Sequence, residues 1–301
     1  FFSSRRRHTR FRNVTGVQTC ALPISPIQVQ YLGFPGTLGA KHIDYLIADS
    51  TVVPADHAAS YSECIVNLPG SYQCNDRSRL ISGEVFTRRP FGLPDEAFVF
   101  CCFNNNFKIA PTVFAVWMRL LAAVEGSVLW LLEDNAAAVW NLRREASAAG
   151  IDSGRLIFAA RDRLDRHLAR HRLADLFLDT NPYGAHTTAS DALWAGLPVV
   201  TCATGGFAGR VAASLLKAAG LPELVTETME AYEALALTLA RDAERLNALR
   251  ARLVANRENC ALFDTERFTR HLEAAYAIMT ERARAGLPPM GFDVKPLGDR
   301  A

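Results

Sequence analysis

A polar cluster in the middle of the chain carries the residue types that bind an anion and a sugar. Leu173–Asp179 has the character of a buried parallel strand, Asn181-Pro182-Tyr183-Gly184 breaks it, and a helix is predicted from near Thr187 to Gly196. Thr187 and Thr188 stand where their hydroxyls can cap that helix, whose free N–H groups and positive dipole end favour an anionic ligand. Asp191, four residues after Thr187, falls on the same face one turn further in. A carboxylate there repels phosphate but accepts hydrogen bonds from ribose hydroxyls. The plainer alternative, two capping threonines and a solvated acid, recurs in many helices and stays open on spacing alone.

A second cluster, Cys101-Cys-Phe-Asn-Asn-Asn-Phe-Lys-Ile-Ala-Pro111, follows one predicted strand and precedes a helix, which puts it at the carboxyl edge of a sheet, where open α/β sheets bind ligands. Lys108 can offer a diphosphate a point charge and Asn105 an amide donor, stabilising charge on a leaving group. A lone loop lysine is otherwise simply solvated. Gly33-Phe-Pro35-Gly36 forms a tight turn after a strand, where missing side chains let a ligand approach, though a plain strand-to-helix connector has the same composition. No G-x-G-x-x-G dinucleotide fingerprint is present.

The elements that must position these residues alternate between strand-like and helical patterns. Val29–Phe34, Asp44–Asp49 and Cys64–Leu68 come first. Ala97–Phe103, Ser127–Glu133, Arg155–Ala160, Leu173–Asp179 and Pro198–Cys202 follow. Between the later strands lie helical stretches at Pro111–Val124, Ala136–Ala149, Asp165–Arg172, Ala189–Ala195 and Arg210–Ala219, the signature of βαβ units and parallel, doubly wound sheets. Beyond Glu223 the sequence reads as wholly helical, with Glu230–Asn256 and Thr265–Arg284 clamping the sheet rather than extending it. Periodicity is lost between Gly70 and Pro94, which places a lobe boundary there.

Residues 1–25 read differently. The strings Phe1-Phe-Ser-Ser-Arg-Arg-Arg-His-Thr-Arg10 and Val14-Thr-Gly-Val-Gln-Thr-Cys-Ala-Leu-Pro-Ile-Ser25 resemble translated sequencing-adapter read-through, so residues 1–25 are expected to be non-native and disordered and the gene truncated. The alternatives are a transit peptide, which the Arg- and Ser-rich, acid-free composition of these residues also fits, and a basic nucleic-acid arm. Without their five arginines, 28 basic residues face 31 acidic ones and the net charge turns from +2 to −3. That removes the argument for nucleic acid or an anionic membrane as partner. No apolar run reaches the ~18 residues of a membrane span. Excluding Cys20, six cysteines show no C-x-x-C spacing and the histidines are scattered, so neither a metal nor a redox site is expected, and a reducing cytoplasm fits.

The segment His186-Thr-Thr-Ala-Ser-Asp-Ala-Leu-Trp-Ala-Gly-Leu-Pro-Val-Val-Thr201 closely resembles the catalytic domain of the O-linked N-acetylglucosamine transferase and SPINDLY family. The resemblance continues in Gly209-Arg-Val-Ala-Ala-Ser214, in Gly33-Phe-Pro-Gly-Thr-Leu-Gly39, and in Phe103-Asn104 with Phe107-Lys108-Ile109, covering about Val29 to Ala283. It implies an α/β, GT-B-like fold. Residues 26–89 would be the remnant of a first Rossmann-like lobe, 90–263 a complete five-stranded nucleotide-sugar-binding lobe, and 264–301 a C-terminal helix and tail. It also implies an inverting transfer of N-acetylglucosamine from its UDP donor to Ser or Thr of proteins, with no cofactor or metal and with tetratricopeptide repeats upstream.

By the same resemblance Lys108 is the diphosphate lysine, Asn105 stands where some members have Gln, and His167 and Arg170 line the nucleobase. A solvated basic helix face is the alternative for that pair. His186 neighbours ribose or phosphate, and Gly33, Pro35 and Gly36 face sugar and acceptor. Leu164 replaces a Lys that some relatives place near ribose. The family's candidate base histidine would lie upstream of residue 26, leaving this chain alone nearly inactive. Two rivals remain: a SPINDLY-like fucosyl transfer from GDP-fucose or a related glucosyl transfer, and a non-catalytic nucleotide-binding scaffold.

Overall fold

The computed structural model describes residues 26–297, so the expectation for residues 1–25 lies outside the described residues. In chain order the strands and helices begin with β1 (Val29–Gln30), β2 (Tyr45–Ala48), β3 (Cys64–Asn67), β4 (Val99–Cys102), α1 (Pro111–Ala123), β5 (Val128–Leu132) and α2 (Ala136–Ala148). There follow β6 (Leu156–Ala159), α3 (Leu164–Arg170), β7 (Leu176–Leu178), α4 (Thr187–Trp194), β8 (Val199–Cys202) and α5 (Phe207–Ala218). The last are β9 (Val225–Thr226), α6 (Met229–Arg241), α7 (Ala243–Asn256), α8 (Thr265–Arg284) and β10 (Phe292–Asp293).

The described residues divide into two compact units, 26–72 with 269–297, and 73–268. The first holds a four-stranded parallel sheet in the order β1-β2-β3-β10. All four residues of β2 are buried, the pattern of a strand covered on both faces. The tail was expected to contribute no strand, yet Phe292 pairs with Val66 and Asp293 with Asn67, whose amide donates to the Asp293 carboxylate at 2.8 Å. β1 is shorter than expected because Leu32 adopts a left-handed φ of 56°, which ends the extended run before the glycine turn.

The second unit is a six-stranded parallel sheet in the order β6-β5-β4-β7-β8-β9. Counted from β4, this is the 3-2-1-4-5-6 winding, whose direction reverses between β4 and β7. It has one strand more than expected, since Thr201 and Cys202 pair with Val225 and Thr226 of β9. Strands β4, β7 and β8 are buried throughout. Trp117, Trp130, Phe100 and Phe177 are among the large side chains of this core.

Two expected boundaries move. Residues 73–89 belong with the second unit, because Arg88 pairs with Asp175 at 2.9 Å and donates to the Leu173 carbonyl, and Trp194 donates its indole N–H to the Arg79 carbonyl at 3.0 Å. The predicted helix Glu230–Asn256 is two helices: Asp242, at φ −120° and ψ 84°, leaves the helical region and its carboxylate caps α7 through Arg245 N–H at 2.9 Å. Among the described residues no helix is long and apolar enough to cross a membrane.

Candidate functional site

The candidate site lies at the reversal point of the second sheet, where the segments after β4 and β7 meet. Its floor is Asp179, directly after β7 and 1 % exposed. One oxygen of its carboxylate accepts from the backbone N–H groups of Thr180 at 2.7 Å and Ala185 at 2.6 Å, and from the Asn104 amide at 3.3 Å. The other accepts from the Thr201 hydroxyl at 2.7 Å, and the backbone carbonyl of Asp179 accepts from the Tyr232 hydroxyl at 3.0 Å. Burial pushes this carboxyl up to about 6, against the pull of the hydrogen bonds and of the Lys108 charge.

These bonds fold residues 180–186 into a compact loop. The Thr180 hydroxyl donates to the Tyr183 carbonyl at 2.7 Å, and Gly184 lies so close to Asp179 that a Cβ there would meet its carboxylate at 3.1 Å. Asn181 donates to the Thr204 hydroxyl at 2.7 Å, tying the loop to the turn after β8. Gly209 packs still closer, since an added Cβ would fall 2.4 Å from the Thr204 carbonyl and 2.7 Å from that of Pro182.

Lys108 reaches into this loop. Its ammonium donates to the Gly184 carbonyl at 2.9 Å and stands 4.3 Å from the centre of the Tyr183 ring, which stacks on His186 with centroids 5.2 Å apart. Burial draws the Lys108 pKa down while the Asp179 charge draws it up. His186 donates Nε2–H to the Ala208 carbonyl at 3.2 Å, and burial lowers its pKa to about 4. The neutral ring keeps only its Nδ1 lone pair free, which suits a hydroxyl partner better than a phosphate oxygen.

Thr187 and Thr188 do not cap α4 as expected. His186 occupies the N-cap without a side-chain cap, and both threonines fall inside the first turn. Thr187 is exposed, whereas the Thr188 hydroxyl donates to the Asn104 side-chain carbonyl; Asn104 in turn donates to the Thr180 hydroxyl at 2.7 Å. Asp191 is not a solvated acid: it is 14 % exposed at the side chain and ion-paired to Arg79. Asn105 is exposed, with Arg161 donating to its carbonyl oxygen at 3.4 Å.

Arg170 departs from the reading of a solvated basic face. It is 2 % exposed, donates to the Ala160 carbonyl at 2.6 Å and to His167 Nδ1 at 2.6 Å, and lies 4.7 Å over the Phe103 ring. His167 is half-buried against Phe103, and burial together with the Arg170 charge lowers its pKa to about 4. Its ring is therefore neutral at pH 7, the form that stacks on a base without adding charge. Leu164 is exposed.

Gly33, Pro35 and Gly36 belong to the first unit. Their turn is closed from within by Gln30, whose amide donates to the carbonyls of Phe34 at 2.9 Å and Gly36 at 2.7 Å. A Cβ at Gly33 would meet only a carbonyl 4.0 Å away, so this backbone is open to approach. Among the described residues no group of three or more His, Cys, Asp or Glu could hold a metal ion.

Sequence reasoning missed Asp179, Asn104 and Arg79 as site residues. Asn104 and Asp179 both sit at the carboxyl ends of adjacent strands, a signal that could have found them.

The model of glycosyl transferase family 41 matches residues 15–85 and 79–272. The chain belongs to family 41. A probable UDP-N-acetylglucosamine–peptide N-acetylglucosaminyltransferase SEC of Arabidopsis thaliana is 40 % identical over 280 residues, 91 % of this chain. A probable enzyme of that kind named SPINDLY, from Hordeum vulgare, is 34 % identical over 94 % of the chain. The chain spans only 29 % and 30 % of the lengths of these two family 41 relatives. Among solved structures, a Lys-to-Met variant of Thermobaculum terrenum O-GlcNAc transferase matches with a TM-score of 0.79 at 33 % identity, over 87 % of this chain and 50 % of that one. The two parallel-sheet units are thus those of a GT-B-like, family 41 fold.

Proposed function

We propose that the protein is an inverting protein O-glycosyltransferase that moves N-acetylglucosamine from UDP-N-acetylglucosamine to Ser or Thr hydroxyls of proteins. The observation that carries this reading is the convergence of Lys108 and the start of α4 on one loop at the reversal of the sheet, a place where a buried cation and free N–H groups suit a diphosphate. In the reaction the acceptor oxygen forms a bond to the anomeric carbon as the carbon–oxygen bond to the diphosphate breaks. The electron pair leaves on the diphosphate and the hydroxyl proton passes to a base. Lys108, the Thr187 hydroxyl and the N–H groups of Thr187 and Thr188 stabilise the charge that develops, so the scheme needs no metal. His167 offers a neutral ring face to the base, while His186 and Asp191 offer acceptors to ribose.

The relatives named as N-acetylglucosaminyltransferases support this donor. Calorimetry with UDP and GDP, followed by transfer assays on the whole protein with UDP-N-acetylglucosamine and GDP-fucose, tests it. UDP binding and N-acetylglucosamine transfer are expected; GDP binding alone, or nucleotide binding without transfer from either donor, would overturn it.

A further inference from the structure

Asp191 poses an electrostatic problem for this reading. It stands one turn into α4, the helix whose start is assigned to a diphosphate, and a bare carboxylate at that distance opposes an anion. Arg79 resolves it. Its guanidinium pairs through Nη1 with Oδ1 of Asp191 and through Nη2 with the Ser190 hydroxyl at 3.5 Å, while Nε donates to the Asp76 carbonyl at 3.1 Å. Both charged side chains are largely buried, at 15 % and 14 % exposure, where an ion pair is less screened than on a surface.

Arg79 is also fixed from behind. Its carbonyl accepts from the Trp194 indole, three residues after Asp191 on the same helix face, and its guanidinium lies 5.9 Å from the Trp194 ring. Arg257 holds Trp194 in turn, 5.0 Å over the ring and donating to its carbonyl at 3.1 Å. Asp76 is set by an Asx turn, accepting from Ser78 N–H at 2.7 Å. The arginine is therefore held by backbone, ring and carbonyl before any nucleotide arrives. Oδ1 of Asp191 is engaged, and no protein group among the described residues bonds to Oδ2.

We propose that Arg79 is a positioning residue for the nucleotide: it cancels the Asp191 charge and turns Oδ2 toward the ribose hydroxyls, so that a carboxylate can stand beside a diphosphate. This rests on the assignment of Asp191 to ribose. Arg79 acts only through Asp191 in this scheme, which makes the two residues non-additive.

The test is a double-mutant cycle on the full chain, reading UDP affinity by calorimetry. Asp191→Asn and Arg79→Met should each weaken UDP by about tenfold, the loss expected for a hydrogen bond to a charged group. The double variant should bind no worse than Asp191→Asn alone, and Arg79→Lys should recover part of the loss. Multiplying factors in the double variant would show that Arg79 acts independently or through general packing, and would overturn the proposal. So would unchanged binding by Arg79→Met while Asp191→Asn is impaired. If Asp191→Asn binds UDP as the parent does, the ribose assignment falls and the Arg79 role with it. Melting curves of all four variants keep the comparison to folded protein, and the charge-preserving Arg79→Lys carries the test if Arg79→Met does not fold: affinity between that of Asp191→Asn and the parent, or equal to the parent, supports the charge role, and a folded Arg79→Lys that binds no better than Asp191→Asn overturns it.

Discussion

Lys108 and Tyr183 form a cation–π pair, with the ammonium 4.3 Å from the ring centre and its hydrogen bond directed to the next carbonyl, Gly184, at 2.9 Å. The lysine is thereby aimed across the loop that leads into α4, without a carboxylate partner in hydrogen-bond contact among the described residues. Exchanging a neutral carbonyl and a ring face for a diphosphate is favourable for a partly desolvated cation.

Replacing Lys108 by Ala in the whole protein is expected to lower kcat by a factor of ~10² to 10³, the usual loss when one preorganised group at a leaving oxygen is removed. The melting temperature should change little, because the group lost is a half-buried side chain whose contacts are one carbonyl and one partly exposed ring face. Steady-state kinetics beside a thermal melt checks both; unchanged kcat would remove Lys108 from the mechanism.

Asp179 makes stability depend on pH in a defined direction. Its carboxyl is raised to about 6 in the folded protein from the ordinary 3.8, so between those values the folded state binds more protons than the unfolded one. Its contribution is fully present below pH 3.8 and is lost as pH rises through about 6. Over that window the parent should lose about 3 kcal/mol relative to Asp179→Asn, whose side chain does not titrate. Urea unfolding at pH 4 and pH 7 measures the difference; a gap that is constant or of opposite sign contradicts the assignment.

Gly209→Ala is expected to destabilise the protein by roughly 1–3 kcal/mol, the cost of overpacking. The added Cβ would fall on two backbone carbonyls, those of Thr204 and Pro182, neither of which is a flexible side-chain end. Chemical denaturation would show the effect as a lower midpoint at unchanged m-value. Parent-like stability would mean that the turn after β8 yields more easily than its contacts imply.

Thr187→Val and Thr188→Val should separate. Thr188 supports Asn104, which supports Thr180, so Thr188→Val is expected to cost about 1 kcal/mol of stability through the lost hydrogen bond and also to weaken UDP binding. Exposed Thr187 has no such chain, and Thr187→Val should affect ligand affinity alone. Parallel melting and calorimetry distinguish the two, and equal melting temperatures would argue against the Asn104 relay.

The sheet of the second unit was legible because its strands are continuous apolar runs punctuated by Gly, Pro and Asn, and Lys108, His186, Thr187 and Thr188 stood where those runs end. What escaped depends on partners far away in sequence. Arg79 and Asp191 are 112 residues apart, and nothing in the composition around Arg79 marks it as different from its neighbours Arg77 and Arg88. Asp179 read as the end of a strand because its side-chain partners Asn104 and Thr201 lie 75 and 22 residues away. Asp242 was hidden inside a charged amphipathic pattern that continues across it. β10 is two residues long, too short for any periodicity to announce it.

The pairing of β3 with β10 fixes an order of assembly. Val66 and Phe292 are neighbours in the first sheet, yet the whole of the second unit lies between them in the chain. That unit, contiguous from 73 to 268, can close on its own contacts as it emerges during synthesis, whereas β3 keeps one edge open until Phe292 and Asp293 follow. Interrupting translation before Phe292 would therefore release a chain whose second sheet is complete and whose first still offers an unpaired strand edge, the kind to which foreign strands add.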